Sequence, residues 1–214
     1  MGQIVDVTST PWIDSGDAPP LALHRDRPDN ISQGVADPLV GDTNLIPHWT
    51  GSGQSGATTD LNYACVDGTD YFPDVVRGRF PVRTETQLNN MCQKILDMAP
   101  QAVIDAVFMA SEDNYTISEG THNYCINTYL DPAGWTCDKL YCHTYNATTT
   151  QVTNSFNAGR TIGIFSGHGY SGGWAVGPAF DQNNVRALVP TVYPLVHSYA
   201  CSTGPFDQTE CFGE

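Results

Sequence analysis

The sequence has little positive charge and no long hydrophobic run. It contains nine Lys and Arg residues against 23 Asp and Glu, which gives a formal net charge of -14 over 214 residues. Because phosphates attract basic side chains, this balance argues against a nucleic-acid partner. No run approaches the roughly 18 apolar residues that a membrane span needs. The first residues, Met1–Asp6, lack both the basic and the apolar segment of an export signal.

The rest of the composition is typical of a folded domain. Hydrophobic residues make up 40% of the chain, which is enough for a sizeable core. Seven cysteines are an odd number, so one reactive thiol and three disulfides of an exported protein would account for them. Together with the acidic surface, this predicts a protein that acts outside the cell or at its surface. The composition does not indicate whether the protein is a monomer or an oligomer.

The chain changes character after its first 37 residues. Residues 1–37 show no clean periodicity, and Pro11, Pro19, Pro20 and Pro28 interrupt a polar stretch. We expect an irregular extension there. Residues 38–214 are predicted to form one domain.

Strands and helices are predicted to alternate through that domain. The predicted strands are Val75–Phe80, Val103–Ala110, Lys139–Tyr145, Thr161–Phe165 and Val192–Tyr199. The first predicted helix follows a capping box formed by Thr84 and Gln87, and its apolar face consists of Leu88, Met91, Cys92, Ile95 and Leu96. Three further helices are predicted: His122–Leu130, Thr150–Ala158, and one that runs from the N-cap Asp181 to Leu188. This alternation predicts an α/β fold with a mostly parallel sheet and helices on both faces.

Reactive side chains follow three of the predicted strands. Ser111-Glu112-Asp113 comes after one strand, Ser166-Gly167-His168-Gly169 after the next, and Ala200-Cys201-Ser202 after the last. Since the carboxyl ends of parallel strands meet at one edge, we expect these groups to lie together there. Taken alone, Cys201 or His168 is more often a structural residue.

Together these groups predict a thiol nucleophile. An adjacent imidazole can hold the Cys201 thiol as thiolate, so His168 is the predicted base. A carboxylate would orient that imidazole, with Asp113 and its neighbour Glu112 as candidates. The backbone N–H groups of Gly169 and Cys201 are predicted to form an oxyanion hole.

Several separated motifs resemble the gingipain family of cysteine endopeptidases. They are Leu39–Asp42, Thr59–Asp74, Gly78–Phe80, Phe165–Trp174, Val185–Leu188, Tyr199–Phe206 and Glu210–Glu214. The resemblance runs from about Leu39 to Glu214 and implies a caspase-like three-layer α/β sandwich. It also implies a secreted endopeptidase with protein or peptide substrates. His168 matches the family's catalytic histidine, Cys201 its nucleophile and Asp113 the acid that pairs with the histidine.

A short acidic loop is a candidate calcium site. Asp67, Asp70 and Asp74 provide hard carboxylates at close spacing, which suits Ca²⁺, although a solvated acidic turn has the same pattern. The resemblance implies a structural calcium ion there, with Asp42 and the carbonyl of Phe72 as further ligands.

Three residues are predicted to contact the substrate. Glu119 lies near the position of a pocket acid in arginine-specific members of the family, which implies cleavage after Arg or Lys. Ser166 and Trp174 are predicted to line the cleft, with a packing role as the alternative for Trp174.

A zinc site is a weaker interpretation. Cys125, Cys137, Cys142 and His143 lie close in sequence, but eleven and four residues separate the successive cysteines, which is not a compact Cys-x2-Cys pair. A disulfide among these cysteines is therefore predicted, with its pairing open. His122, His143 and His197 are expected to be ordinary hydrogen-bonding residues.

The match to the family stops at both ends of the chain. Family members have further strands before Leu39 and continue past Glu214, so the sequence is expected to be a fragment of the catalytic domain, truncated at its C-terminus. This leaves two functions open. One is a cysteine endopeptidase, and the other is a calcium-stabilised extracellular module that no longer cleaves.

Overall fold

The computed structural model describes residues 3–4, 48–50, 58–68, 70–98 and 102–213. The chain divides into two compact units. One is Asp6–Pro81, and the other combines Met1–Val5 with Val82–Glu214. In the part of the chain that is described, none of the helices has the length and apolar character needed to cross a membrane.

Short strands and helices alternate along the described residues. The strands are β1 Gln3–Ile4, β2 Trp49–Thr50, β3 Thr58–Thr59, β4 Asp105–Ala110, β5 Thr136–Tyr141, β6 Ile162–Ser166, β7 His168–Tyr170, β8 Gly173–Ala175, β9 Phe180–Asp181 and β10 Leu195–Tyr199. The helices are α1 Leu61–Ala64, α2 Glu85–Met98, α3 Tyr115–Cys125, α4 Cys142–Tyr145, α5 Thr149–Asn157 and α6 Gln182–Arg186. A π-helical segment, Ile126–Leu130, and a 3-10 turn, Asp131–Ala133, continue from α3.

The main sheet has the order β1-β10-β6-β4-β5, and every neighbouring pair is parallel. Its central strands end level with one another, because Ala110 lies beside Ser166 and Tyr141, and Ser166 lies beside Tyr199. The predicted parallel sheet is therefore confirmed. Its four level carboxyl ends provide one edge at which loops can meet.

Both faces of this sheet are covered by helices. On β4, Val107 and Met109 are fully buried in a core that also contains residues of α5. The alternate residues, Ala106 and Phe108, pack in a second core with Ile126 of the π-helical segment. Because successive side chains of a strand point to opposite faces, these two cores lie on either side of the sheet. The predicted three-layer α/β arrangement is confirmed.

The predicted helix caps are present in the structure. Thr84 and Gln87 form the expected reciprocal hydrogen bonds at the start of α2, with Gln87 N donating to Thr84 Oγ1 at 3.2 Å and Thr84 N donating to Gln87 Oε1 at 3.0 Å. Asp181 caps α6 in the same way with Asn184. Gly159 follows α5 with φ +91°, a conformation that favours glycine.

Three predicted elements differ in the structure. Val75–Phe80 is not a strand, and Arg79 in it instead forms a two-pronged ion pair with the buried carboxylate of Asp60. The helix predicted for His122–Leu130 begins earlier, at Tyr115. The strand predicted for Lys139–Tyr145 ends at Tyr141, and α4 occupies its second half.

The N-terminal extension contributes one short strand. Gln3–Ile4 pairs in parallel with β10 at the edge of the main sheet, so the expectation of a wholly irregular extension is wrong for these two residues. The rest of residues 1–37, together with Leu39 and Val40, lies outside the described residues.

A small antiparallel sheet follows the main sheet's β6. Its strands are ordered β7-β8-β9, and β7 begins at His168 itself. The sequence patterns did not predict this sheet. It holds the residues after His168 in an extended conformation, with Gly169 opposite Trp174.

Candidate active site

The level ends of three neighbouring strands bring the predicted catalytic residues to one edge. Asp113 lies three residues beyond the end of β4, and His168 and Cys201 each lie two residues beyond the ends of β6 and β10. The connecting loops are tied together as well, since Gly167 N donates to Tyr199 O at 3.1 Å. The sheet thus presents a carboxylate, an imidazole and a thiol on adjacent loops.

His168 and Asp113 are in direct contact. The imidazole Nε2 lies 2.6 Å from Oδ2 of Asp113, and both side chains are partly exposed. An ionised carboxylate only accepts hydrogen bonds, so Nε2 carries the proton and donates a hydrogen bond to Asp113. This contact leaves Nδ1 as the nitrogen that can accept a proton from another group.

The carboxylate of Asp113 has a second partner. The hydroxyl of Ser111 donates to Oδ1 at 2.8 Å, so each carboxylate oxygen accepts from a different residue. The bond from Ser111 and, after it, the contact with His168 hold the pKa of Asp113 below its ordinary value, against the opposing effect of partial burial. Asp113 is therefore stabilised in its charged form.

Glu112, the alternative acid, is placed differently. Its backbone N–H donates to Val176 O at 3.1 Å, and the residue is exposed. Of these two neighbouring acids, Asp113 is the one that contacts His168.

Cys201 lies in an exposed turn immediately after β10, with a free thiol. The next residue, Ser202, has φ +54°, which is uncommon for a residue other than glycine. Such strained backbone is found more often at functional sites than elsewhere.

Gly169 packs against the loop that carries Cys201. A Cβ at this position would lie 2.7 Å from Thr203 Cγ2, 2.8 Å from Ala200 Cβ and 2.8 Å from the carbonyl oxygen of Cys201. Only glycine therefore fits here without displacing the loop. The backbones of Gly169 and Cys201, the pair predicted to form an oxyanion hole, are neighbours.

Trp174 is a core residue, which corrects its predicted place in the substrate cleft. Its side chain is only 2% exposed and stacks on Phe165 with ring centroids 4.4 Å apart. The indole N–H donates to Ser198 Oγ at 2.9 Å, and Ser198 Oγ lies 3.1 Å from Thr203 Oγ1. Trp174 thus supports the segment around Cys201 from the interior.

Glu119 is also buried, at 5% exposure. One carboxylate oxygen accepts from Thr144 N at 3.1 Å, and the other accepts from the Thr144 hydroxyl. The structure gives Glu119 the role of joining α3 to α4 and does not support its predicted role as a substrate-binding acid. Ser166 is half-buried at the end of β6, and its contact with substrate stays a prediction.

The carboxylates of the predicted calcium loop do not converge. Asp74 Oδ2 accepts from the backbone N–H groups of Val66 at 2.7 Å and Asp67 at 2.9 Å, and Asp70 Oδ1 accepts from Phe72 N at 2.9 Å. Within the described ranges, no three His, Cys, Asp or Glu side chains are grouped to hold a metal ion. Asp42 lies outside those ranges. The described residues therefore do not fit a calcium ion as they stand.

The cysteines between Cys125 and Cys142 do not form the predicted disulfide. Cys125, Cys137 and Cys142 are free thiols, and burial raises the pKa of both Cys137 and Cys142. His143 stacks on Tyr115 with ring centroids 3.4 Å apart, and its role as a hydrogen-bonding residue stays a prediction.

Three contacts of this site were missed in the sequence. Ser111 was part of the Ser111–Asp113 motif, but no local pattern marks it as a partner of the acid. Ser198 and Thr203 flank Cys201, and their link to Trp174 depends on tertiary packing. The closeness of Ser111 to the acid in sequence is the only signal that was available.

The fold and the site together define an α/β protein that brings a cysteine, a histidine and an aspartate to the edge of a parallel sheet. The sequence profile of peptidase family C25 matches residues 33–214, and the chain belongs to this family.

Similar proteins include the gingipains of Porphyromonas gingivalis. Lys-gingipain is 29% identical over 213 residues, covering 90% of this chain and 12% of the relative. Gingipain R2 is 23% identical over 189 residues, covering 82% of this chain and 25% of the relative. The chain thus spans a quarter or less of the length of these relatives.

The fold is shared with a solved structure. The crystal structure of the Arg specific cysteine proteinase gingipain R superimposes with a TM-score of 0.65 at 22% identity, covering 74% of this chain and 39% of that one. This similarity confirms the predicted caspase-like α/β fold.

Proposed function

We propose that this chain carries the catalytic centre of a cysteine endopeptidase, with Cys201 as nucleophile, His168 as general base and acid, and Asp113 as the residue that orients His168. The observation that carries this proposal is the contact of 2.6 Å between His168 Nε2 and Asp113 Oδ2, at the sheet edge where Cys201 also emerges. Membership of a peptidase family supports it independently.

In the first half of the reaction, the thiol of Cys201 gives its proton to Nδ1 of His168, and the sulfur attacks the scissile carbonyl carbon. The carbonyl oxygen becomes an oxyanion, which the backbone N–H groups of Gly169 and Cys201 stabilise. The C–N bond then breaks, and the imidazolium returns the proton to the leaving amine. This leaves a thioester on Cys201.

In the second half, His168 takes a proton from water, and the resulting hydroxide attacks the thioester carbonyl. The C–S bond breaks, the carboxylic acid product leaves, and the proton returns to the sulfur. Asp113 stays ionised throughout and stabilises the positive charge on His168. Its lowered pKa supports this role.

Cleavage after Arg or Lys is a finer part of the proposal. It is supported by the relatives' names, since one is a Lys-gingipain and a solved neighbour is described as Arg specific. Glu119 does not provide the acid for such a pocket, because its carboxylate is buried and occupied by Thr144. Protein or peptide substrates follow from the same relatives.

Active-site labelling tests the proposal. A peptidyl chloromethyl ketone with Arg or Lys at P1 should alkylate Cys201, identified by mass spectrometry, faster than the same peptide with an acidic P1. Cys92 serves as an internal control, because it is another exposed free thiol. We expect labelling of Cys201 and none of Cys92.

Two variants complete the experiment. His168→Ala should abolish the fast labelling, whereas His143→Ala, which removes another exposed histidine, should leave it intact. Equal labelling of Cys201 and Cys92, or labelling that survives loss of His168, would favour the alternative, an extracellular module that has lost peptidase activity.

A structural calcium ion rests on the sequence resemblance alone, because the described carboxylates do not converge. A ligand bound only by the folded state raises its stability. If the loop binds Ca²⁺, the melting midpoint should rise with added Ca²⁺ and fall with EGTA in the wild type but not in an Asp70→Asn variant. If neither Ca²⁺ nor EGTA changes the melting midpoint of the wild type, the protein has no structural calcium ion.

We further propose that the protein acts outside the cell or at its surface. The acidic composition, with a formal charge of -14, supports this placement. Detection of the full-length protein in the culture medium or by surface proteolysis of intact cells would test it, and confinement to the cytosolic fraction would contradict it.

A further inference from the structure

Ser111 is the first residue after β4, and it is almost completely buried, at 1% exposure. Its backbone N–H donates to Ser166 O at 3.1 Å, which fixes it to the end of β6. Ser111 therefore lies between the strand that leads to Asp113 and the strand that leads to His168. A buried hydroxyl needs a hydrogen-bond partner, and the identity of that partner indicates what the hydroxyl stabilises.

The nearer acceptor of the Ser111 hydroxyl is the carboxylate of Asp113, at 2.8 Å, and the Asp113 carbonyl oxygen lies farther away, at 3.4 Å. Ser111 Oγ donates to Oδ1 at 2.8 Å, while Oδ2 of the same carboxylate contacts His168 at 2.6 Å. With one oxygen held by Ser111, the carboxylate cannot rotate about its χ2 angle without breaking a charge-assisted hydrogen bond. Ser111 therefore fixes the orientation of the Asp113 carboxylate through the oxygen that does not contact His168.

The loop that carries His168 packs directly onto this hydroxyl. A Cβ at Gly167 would lie 2.5 Å from Ser111 Oγ and 2.6 Å from Ser111 Cβ. No side chain larger than hydrogen fits at position 167 while Ser111 keeps its place. Ser111 thus contacts both the loop that carries Asp113 and the loop that carries His168.

From these contacts we infer that Ser111 is a positioning residue of the catalytic centre: it fixes the Asp113 carboxylate so that Oδ2 faces His168. This inference rests on the proposed function for its effect on catalysis, but the effect on Asp113 itself does not depend on activity. Removing the hydroxyl should free the carboxylate to rotate, and His168 would lose its oriented partner for part of the time.

The test is Ser111→Ala, with Ser155→Ala as a matched control. Ser155 is also buried, at 7% exposure, and its hydroxyl donates to the carboxylate of Asp138 at 2.6 Å, so the control removes the same kind of bond elsewhere. The titration of Asp113, followed by NMR of its side-chain carboxyl carbon, should shift to higher pH in Ser111→Ala and stay unchanged in Ser155→Ala. An unchanged titration in Ser111→Ala would overturn the inference.

Kinetics provide the second measurement. Ser111→Ala should lower kcat by roughly tenfold, the effect of one hydrogen bond to a charged group, with KM little changed. In an Asp113→Asn background the same substitution should cost nothing further. An equal loss in both backgrounds would indicate a merely structural role and would contradict the inference.

Two precautions keep the test decisive. If Ser111→Ala does not fold, Ser111→Cys keeps a side chain of the same shape, with a somewhat larger thiol that is only a weak donor, and should shift the Asp113 titration in the same direction. If the wild-type chain has no peptidase activity, the proposed function fails, but the Asp113 titration still decides the role of Ser111.

Discussion

The imidazole Nε2 of His168 lies 2.6 Å from Oδ2 of Asp113, and this contact assigns the two nitrogens of the ring to different tasks. Nε2 is the donor to the carboxylate, so Nδ1 is the nitrogen that would accept the proton of Cys201 in the proposed mechanism. The assignment depends on an acceptor-only partner, and Asp113, with its lowered pKa, is ionised over the neutral range.

The first prediction follows from this assignment. Asp113→Asn replaces an oxygen acceptor with a group that can also donate, which allows the opposite tautomer of His168. We expect kcat/KM to fall by on the order of a hundredfold, within the range for loss of acid–base assistance. Measurement of peptide hydrolysis and of the alkylation rate of Cys201 would check it.

Glu112→Gln is the matched control for that experiment. It changes the neighbouring acid, which is exposed and whose backbone N–H contacts Val176. We expect kcat/KM to stay within about twofold of the wild type, since Asp113 is the acid bonded to His168 and a solvent-exposed charge contributes little. If Glu112→Gln instead causes the larger loss, the assignment of Asp113 is wrong.

The second prediction concerns the close approach of Gly169 to the Cys201 loop. In Gly169→Ala the new methyl group would meet Ala200, Thr203 and the carbonyl of Cys201 at 2.7 to 2.8 Å. Overpacking of this kind costs about 1 to 3 kcal/mol. Because the loop must move, we expect kcat to fall more than tenfold, as 1 Å displacements in active sites commonly cause.

Gly204→Ala tests whether this effect is specific. Gly204 lies in the same loop, but a Cβ there meets nothing within 4 Å. We expect Gly204→Ala to keep both the melting midpoint and kcat close to the wild type. Similar losses in both variants would show that the loop is merely intolerant of added side chains, and that contact with Gly169 is unimportant.

Sequence reasoning located the strands that carry the site because hydrophobic runs determine them. Val107 and Met109 of β4, and Phe165 of β6, are apolar and completely buried. The parallel pairing follows from the alternation of strands and helices, and it brings the strand ends level. From that geometry alone, the edge shared by Asp113, His168 and Cys201 was predictable.

What could not be predicted depends on contacts distant in sequence. Val75–Phe80 has the residues of a strand, but Arg79 pairs with Asp60 and the segment joins no ladder. The sequence leaves Trp174 either in the cleft or in the core, and the prediction for Glu119 depends on its nearness to a pocket acid of arginine-specific family members. Their burial and their partners, Ser198 and Thr144, are consequences of packing.

The third prediction separates a structural from a substrate-binding role for Glu119. In Glu119→Gln the paired hydrogen bonds with Thr144 are weakened, and we expect a loss of about 1 to 3 kcal/mol in the free energy of unfolding. The ratio of kcat/KM between substrates with basic and uncharged P1 residues should stay the same.

Thr144→Val is its control, since it removes the hydroxyl from the other side of the same contact. Both variants should lower the urea midpoint in the same direction without changing P1 preference. A selective loss of cleavage after Arg or Lys in Glu119→Gln alone would restore Glu119 to the substrate pocket.

The fourth prediction concerns the pH dependence of stability. His122 is 5% exposed, packs edge-on against Phe108, and has a buried Nδ1 without a hydrogen-bond partner among the described residues. Burial lowers its pKa from the ordinary 6.5 to about 4. Between these two values the unfolded chain binds a proton that the folded chain does not, so stability falls as the pH falls below 6.5 and levels off below about 4.

At 1.36 kcal/mol per pKa unit, His122 should account for a loss of about 2 kcal/mol between pH 7 and pH 5. Urea unfolding at the two pH values would measure it. Protonation of Asp113 and Asp138, whose pKa values are lowered in the folded protein, also reduces its stability, but at lower pH. Variants are therefore needed to isolate the contribution of the histidine. His122→Leu should abolish most of the loss between pH 7 and pH 5, whereas His143→Gln, which removes an exposed histidine, should retain it. If wild type and His122→Leu lose the same stability over this interval, folding does not lower the pKa of His122, and its burial does not control the acid sensitivity.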